Sequence, residues 1–473
     1  MVEWAWHRVA PLLLVLAGGL LIAVLGTLSV GLVAALALML LIATRPAIGA
    51  YLYLFVTPLV AGIDRDIALP PLRIHEALLA LILCSLALRG LVRMAMGHRY
   101  VVRLTVIDRA AVILAIAASF VSLLWRFSQG EPISTDDLFY AAVLWKYLAL
   151  YAMFRVAVQT REEAGMALGV ALFTTAIVSI LAIFQALGLF GVPELLFRYY
   201  PPFLGDTVDV GRGASTLALT FAVADICLIC LAATIVLFRR TPGRGRVALG
   251  GLALLYFLGT VAAGQFSGFI GIGVAAVALG YALGEIRTVM KFGIPAALLG
   301  TIGLWPVIGR RLAGFSSASG LPQSWSGRLQ NLTDFILPEF ANGWNILFGV
   351  RPAARVPAPE VWRDWVFIES GYVWLLWTGG IPLLLAFVHF VRVCLRRARA
   401  VMSSTSTPVV AIGTGVFVGL WVIVVLTILD PHLTMRGVGD LVFPMLAMIQ
   451  IGGAMATRPG VVGSPPRTKE VKS

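Results

Sequence analysis

The segment 309–380 opens with GRRLAGFSSASGLPQSWSGRLQNL (309–332), passes through a Trp- and Pro-rich stretch, and closes on DWVFIESGYVWLLWTGG (364–380). It is the one long polar interruption in a chain of apolar runs joined by short connections. Loops of this length are usually either functional or disordered. Its aromatic and apolar residues, among them Trp325, Phe335, Ile336, Phe340, Trp344, Phe348, Trp362 and Trp365, argue for folded structure. Glu369 stands where the chain re-enters an apolar run. The segment therefore predicts a folded lid over a membrane-embedded site.

Outside this segment the composition is that of a membrane protein. Hydrophobic residues make up 60% of the 473 and charged residues 12%, about half the charge of a soluble domain. A spanning helix needs about 20 apolar residues. Fourteen runs meet that standard with some latitude: 9–25, 28–43, 47–63, 74–91, 110–125, 139–156, 166–189, 214–238, 247–263, 266–283, 292–308, 366–391, 409–429 and 441–456. The expected fold is an all-α integral membrane protein of about fourteen transmembrane helices with one large, partly helical outer loop. The first run follows a weakly basic start, as a signal peptide does. A second run follows at once with no small-residue cleavage site between them, so the first is expected to be retained. No fixed-period repeat and no inverted symmetry is visible.

Orientation follows from charge. The net charge of +13 would suggest nucleic acid in a soluble protein, but basic residues in a membrane protein first report topology. With both ends inside, the inner segments hold 23 of the 36 basic residues, the outer ones hold 12, and Lys146 lies within a span. That bias places both termini in the cytoplasm and leaves no call for a nucleic-acid partner. The basic, apolar-interleaved stretch 89–109 suits a helix lying on anionic lipid. The charged, Pro-containing tail 457–473 reads as disordered. Of the four cysteines, Cys227 and Cys230 form a Cys-x-x-Cys inside an apolar run without a second ligand pair, and read as small buried side chains.

The outer connections carry the chemistry. All twelve outer basic residues are arginines, and arginine grips phosphate oxygens two at a time where lysine is a mobile point charge. Pairing with loop carboxylates or lipid phosphates is the structural alternative for each of them, Arg351 included. Arg212, in GRGAST at the mouth of an apolar helix, and Arg328, in WSGRLQNL after a turn signal, are better placed to bind an anion. Glu369 is the acidic candidate. On a helix it would share a face with Tyr372, setting a carboxylate beside a phenol. A partly desolvated carboxylate there suits a general base, while a helix-start acid answering the macrodipole is the bland reading. The last outer connection, DPHLTMRG (430–437), adds His432 and Arg436. Asp64 and Asp66 are the one DxD-type acidic pair on an outer loop, and no metal-ligand set or phosphate-binding glycine loop is visible. Asp225 and Lys146 are intramembrane charges, functional by default unless they pair with each other or snorkel.

In order along the chain, SILAIFQALGLFG, then GRGAST, GQFSGFIGIGVAAVALG, the SGRLQNL and NILFGV phrases of the large loop, and ESGYVWLLWTGGIPLLL resemble the bacterial O-antigen ligase and Wzy-type O-antigen polymerase superfamily. The resemblance implies a GT-C-type, metal- and cofactor-independent membrane glycosyltransferase acting on an undecaprenyl-pyrophosphate-linked glycan donor and a glycan acceptor, within membrane lipid and alongside polysaccharide-assembly proteins. It implies an N-terminal transmembrane bundle (1–308), a large periplasmic loop (309–365), C-terminal transmembrane helices (366–456) and a cytoplasmic tail. Arg212 and Arg328 would take the pyrophosphate-binding roles. Arg351, Tyr372, Gln265, Ser267, His432 and Arg436 would line the substrate. Two departures stand out. Gln265-Phe266-Ser267 lacks the arginine of the family's Ser-Arg-Gly helix start, and Glu369-Ser370 stands where ligases carry a catalytic histidine. The second favours a polymerase-like member with Glu369 as base and His432 as its substitute. A lipid A-core ligase, and in another class a secondary transporter or lipid-linked-sugar flippase, are the alternatives.

Overall fold

The computed structural model describes residues 27–63, 72–97, 104–200, 211–288, 323–359, 361 and 364–451, with single helical positions between 291 and 309. Two helices, α1 (Thr27–Thr44) and α2 (Pro46–Val60), are followed by α3 (Ile74–Ala95), α4 (Val106–Ser128), α5 (Thr135–Ala141), α6 (Val143–Ala157) and α7 (Arg161–Leu187). After a short α8 (Val192–Tyr199) come α9 (Thr220–Arg240), α10 (Arg244–Ala262) and α11 (Phe266–Leu283). The long polar segment expected as a lid, hereafter the lid, holds α12 (Gln323–Asn331), a π turn (Leu332–Ile336), α13 (Leu337–Ala341), α14 (Asn345–Phe348) and the strands β1 (Arg355–Pro357) and β2 (Trp365–Phe367). Helices α15 (Gly371–Val401), α16 (Thr407–Leu426) and α17 (Val438–Met448) complete it.

Among the described residues nine helices are long and apolar enough to cross a membrane, with α5 and α6 counted together as one (Thr135–Ala157). The apolar helices Gly31–Thr44, Pro46–Val60 and Val438–Met448 are shorter. They fall on three further expected spans, while 9–25 lies outside the described residues and 292–308 mostly so. Helix is what such sequence must form, because a backbone in hydrocarbon has to satisfy its own hydrogen bonds. Large apolar side chains such as Leu124, Phe127, Phe173 and Leu385 point outward and are exposed, as on a surface solvated by lipid. The core runs between α9 and α16, the two most buried spans. Cys227 and Cys230 are free and buried there, against Ser179 and Thr175.

Contacts between connections sort them into two ends of the bundle. At one end Arg89 donates to the carbonyls of Ala43 and Thr44, Arg155 meets Asp108 at 2.9 Å, Arg239 meets Glu285 and Arg399 donates to Tyr281. The capping boxes Thr105–Asp108 and Thr160–Glu163 start α4 and α7 at this basic end. At the other end Gly62 donates to Thr216, Gly213 to Ala262 and Gly371 to Thr427, and Arg351 and Arg328 tie the lid down. Each of these contacts stays within its own end.

Two expected helix starts are corrected. Residues 366–367 are strand rather than helix, because β2 pairs antiparallel with β1 in the register Val356↔Val366. Residues 214–219 form a tight turn, because Ser215 and Ala218 adopt positive φ of 50° and 52° and α9 begins only at Thr220. Helix α15 is broken at Gly379–Gly380, where Gly380 has φ of 62°. A side chain at Gly380 would strike the Leu347 carbonyl at 2.1 Å, so the break lets α14 lie directly on the helix.

Candidate functional site

The site is built where the lid meets α15 and the 427–437 connection. The β1–β2 hairpin ends with the Ile368 N–H donating to Ala354, which leaves Glu369 in extended chain just before α15. The first helical N–H groups of α15 are then satisfied from outside: Gly371 and Tyr372 both donate to the Thr427 carbonyl, at 2.8 and 3.3 Å. Such orphan donors need a partner at every helix start. Gly371 is required by the contact itself, since a Cβ there would lie 2.7 Å from Thr427 and 2.8 Å from Pro431. The glycine of the ESG phrase thus presses Glu369 against the 430–432 segment.

Arg328, from α12, reaches across this junction. Its Nε pairs with a Glu369 carboxylate oxygen, Nη1 donates to the Leu429 carbonyl at 3.0 Å, and Nη2 faces Asp430 at 3.4 Å. One planar guanidinium therefore links two carboxylates and a carbonyl, a geometry that a lysine ammonium does not reproduce. The Glu369 side chain is 37% exposed and Arg328 28%, so the cluster is open to solvent on one side. Burial raises the Glu369 pKa above the usual carboxylate range, Arg328 opposes the shift and Asp430 adds to it. Burial likewise raises Asp430, again opposed by Arg328.

Beneath the cluster lies His432. Its Nδ1 is 2.5 Å from Asp225 Oδ2 on α9, and both side chains are essentially inaccessible. The Phe221 ring packs edge-on against the imidazole at 5.3 Å. Burial alone would lower the His432 pKa, but the Asp225 carboxylate, with Asp430 behind it, outweighs burial and raises it. The second ring nitrogen, Nε2, and Asp225 Oδ1 are buried without hydrogen-bond partners.

The remaining expected site residues divide. Arg436 donates to the Ala61 carbonyl at 3.4 Å, beside the Gly62–Thr216 contact, which brings it to the corner occupied by the GRGAST turn. Arg212 is half-buried in that turn. The turn is held in place by Gln185, whose Oε1 accepts from the Ser215 N–H at 2.7 Å, and by Ser215 and Thr216 donating to the carbonyls of Val178 and Pro58. Gln265 accepts from Thr220 at 2.8 Å and so joins α11 to the start of α9. Ser267 is buried, with no hydrogen-bond partner for its hydroxyl.

Two residues are engaged elsewhere. Tyr372 does not stand beside Glu369, because Glu369 precedes the helix, and its hydroxyl donates to the Val424 carbonyl of α16 at 2.8 Å. Arg351 meets the fully buried Asp137 at 2.9 Å and donates to Ser134, clamping the lid to α5. The intramembrane charges do not pair with each other: Lys146 lies 3.6 Å from Glu76, and Asp225 holds His432.

Asp430 and Asp137 were not expected in any site, and Asp225 was expected only as a functional intramembrane charge, without its partner. Asp430 had a signal, being next to Pro431-His432 in an outer connection. For the other two, partners more than two hundred residues away give sequence nothing to read. Among the described residues no group of three or more His, Cys, Asp or Glu is placed to hold a metal, and Asp64 and Asp66 lie outside those residues. Comparison with protein-family models and with curated proteins finds no match for the chain.

Proposed function

We propose that the chain is a metal-independent glycosyltransferase of the bacterial inner membrane, with both termini in the cytoplasm and the lid in the periplasm. It would move glycan from an undecaprenyl-pyrophosphate carrier to a sugar hydroxyl of a second lipid-linked glycan, as a Wzy-type polymerase does. The observation that carries this reading is the Arg328–Glu369–Asp430 cluster, a fixed planar cation held between two carboxylates at the end of apolar helices and open on one side. In the proposed reaction Glu369 takes the proton from the acceptor hydroxyl, and the acceptor oxygen attacks the anomeric carbon. The bond from that carbon to the pyrophosphate breaks, and its electron pair leaves on the phosphate oxygen, where Arg328 and Arg212 stabilise the charge. An incoming pyrophosphate competes with Glu369 for the Arg328 guanidinium and thereby frees the carboxylate to act as base. His432 is the alternative base, but its ring is fully buried, whereas Glu369 is accessible.

A transporter or flippase is the reading from another class. It draws on the polar groups inside the bundle, Lys146 with Glu76 and the buried Asp440 with Tyr53, since buried ionisable groups in membranes commonly mark transport paths. The two are separated by deleting the gene and restoring it as wild type or Arg328→Lys, with surface and lipid-linked glycans resolved on gels. A polymerase loses long chains in the Lys strain and keeps single repeats. A ligase loses all attached chains, and a flippase loses periplasmic lipid-linked glycan altogether. Normal chain length in the Lys strain overturns the proposal.

A further inference from the structure

A second polar site lies beside the lid. A cavity of about 240 Å³ opens between the C-terminal turn of α4, the lid and α15, with Trp125, Gln129, Glu131, Glu339, Asn345 and Trp377 in its wall. Its aromatic groups are fixed in advance. Trp125 Nε1 donates to Asn345 Oδ1 at 2.9 Å, and Asn345 Nδ2 donates to the Glu339 carbonyl at 2.9 Å. Trp377 Nε1 donates to the Ala353 carbonyl at 3.0 Å. Phe348 packs on Trp125 at 5.1 Å.

The other polar groups are left with capacity to spare. The Glu339 carboxylate and the Gln129 side-chain amide have no partner among the described residues. Arg126, also in the wall, has its Nη2 at 3.1 Å from Glu131, yet its Nε is buried with no hydrogen-bond partner. The accessible groups are thus a carboxylate acceptor on Glu339 and an amide on Gln129 that is both donor and acceptor. Arg126 is taken up by Glu131 and Arg351 by Asp137, which leaves Glu339 as the uncompensated charge in the wall and disfavours an anionic ligand. A ligand that stacks on indole and carries several hydroxyls, each both donor and acceptor, matches this set. The cavity volume is about 240 Å³. It is smaller than the roughly 300–1,000 Å³ of sites for drug-sized ligands, and fits one sugar ring rather than two.

We propose that this cavity binds a single neutral pyranose unit, a C–H face against indole and its hydroxyls on Glu339 and Gln129. Trp377 is six residues beyond Gly371 on α15, about 9 Å along the axis at 1.5 Å per residue. That spacing puts the cavity within a sugar or two of Glu369 and makes it a glycan subsite, a role that rests on the glycosyl-transfer reading, whereas sugar binding itself does not.

The test uses the full chain in lipid nanodiscs prepared without glycoside detergent. Saturation-transfer NMR is recorded with the methyl glycosides of glucose, galactose, mannose and N-acetylglucosamine. At least one glycoside receives saturation from the wild type and from Arg328→Lys. The signal drops roughly fivefold in Glu339→Gln, as the loss of one charge-assisted hydrogen bond requires, and Gln129→Ala lowers it further when combined. No transfer to any of the four, or transfer unchanged in the Glu339→Gln, Gln129→Ala double variant, overturns the cavity proposal whatever the gels show. Cavity-dependent transfer together with normal glycan length in the Arg328→Lys strain overturns the glycosyl-transfer reading and leaves a sugar-binding membrane protein.

Discussion

Asp225→Asn isolates the buried pair beneath the site. The wild-type carboxylate and the His432 imidazole are 2.5 Å apart and 1% and 0% exposed, so neither has water to fall back on. Removing one partner of a buried pair typically costs about 3–5 kcal/mol, while replacing both by apolar groups of similar volume is often near neutral. Asp225→Asn should therefore destabilise by about 3–5 kcal/mol, and the double variant Asp225→Leu, His432→Phe should recover most of that loss. The pH dependence has a definite sign. Asp225 and Asp430 raise the His432 pKa above its ordinary value of 6.5. The pair's contribution is therefore fully present below about pH 6.5 and is lost as pH rises through the raised value. Unfolding titrated with SDS in mixed micelles, below and above that window, reads both effects. An Asp225→Asn protein as stable as wild type in acid, or a deficit that grows with pH, refutes the charged-pair account.

Two further outcomes follow from the lid. Arg351→Ala leaves Asp137 buried and unpaired, so the segment 323–359 should become readily cleaved in limited proteolysis, with a destabilisation of about 3–5 kcal/mol. Cleavage at the wild-type rate means that the Arg351–Asp137 contact does not anchor the lid. In a cysteine-free background, a membrane-impermeant thiol reagent applied from the periplasm should label Asn342→Cys on the lid and spare Ser403→Cys between α15 and α16. The reverse pattern inverts the topology and removes the proposed site from the periplasm.

The helices were legible because lipid leaves apolar sequence one solution, and the runs at 74–91, 166–189 and 409–429 all fall on spanning helices. The starts of α9 and α15 were not, since hydropathy continues through both. What stops helix there is a strained turn at Ser215 and Ala218 in one case, and strand pairing with residues ten earlier in the other. That second error removed the argument placing Tyr372 beside Glu369. In the site, arginine at a helix mouth and a glutamate at re-entry were visible as residue types. Their partners were not: Asp430 is 102 residues from Arg328 and Asp225 is 207 from His432. Only the fold closes those distances.

The central claim is that Glu369 and Arg328 perform glycosyl transfer, and purified protein tests it most directly. Wild type and Glu369→Gln in nanodiscs are given an undecaprenyl-pyrophosphate-linked oligosaccharide in the presence of EDTA, and chain extension is followed by mass spectrometry. The account predicts extension by the wild type despite the chelator, with an acid limb lying above the usual carboxylate range because burial raises Glu369. It predicts a rate lower by about 10²–10⁴-fold in Glu369→Gln, the typical worth of a general base. Extension by Glu369→Gln at the wild-type rate, or a wild-type reaction that stops with EDTA and returns with magnesium or manganese, contradicts it.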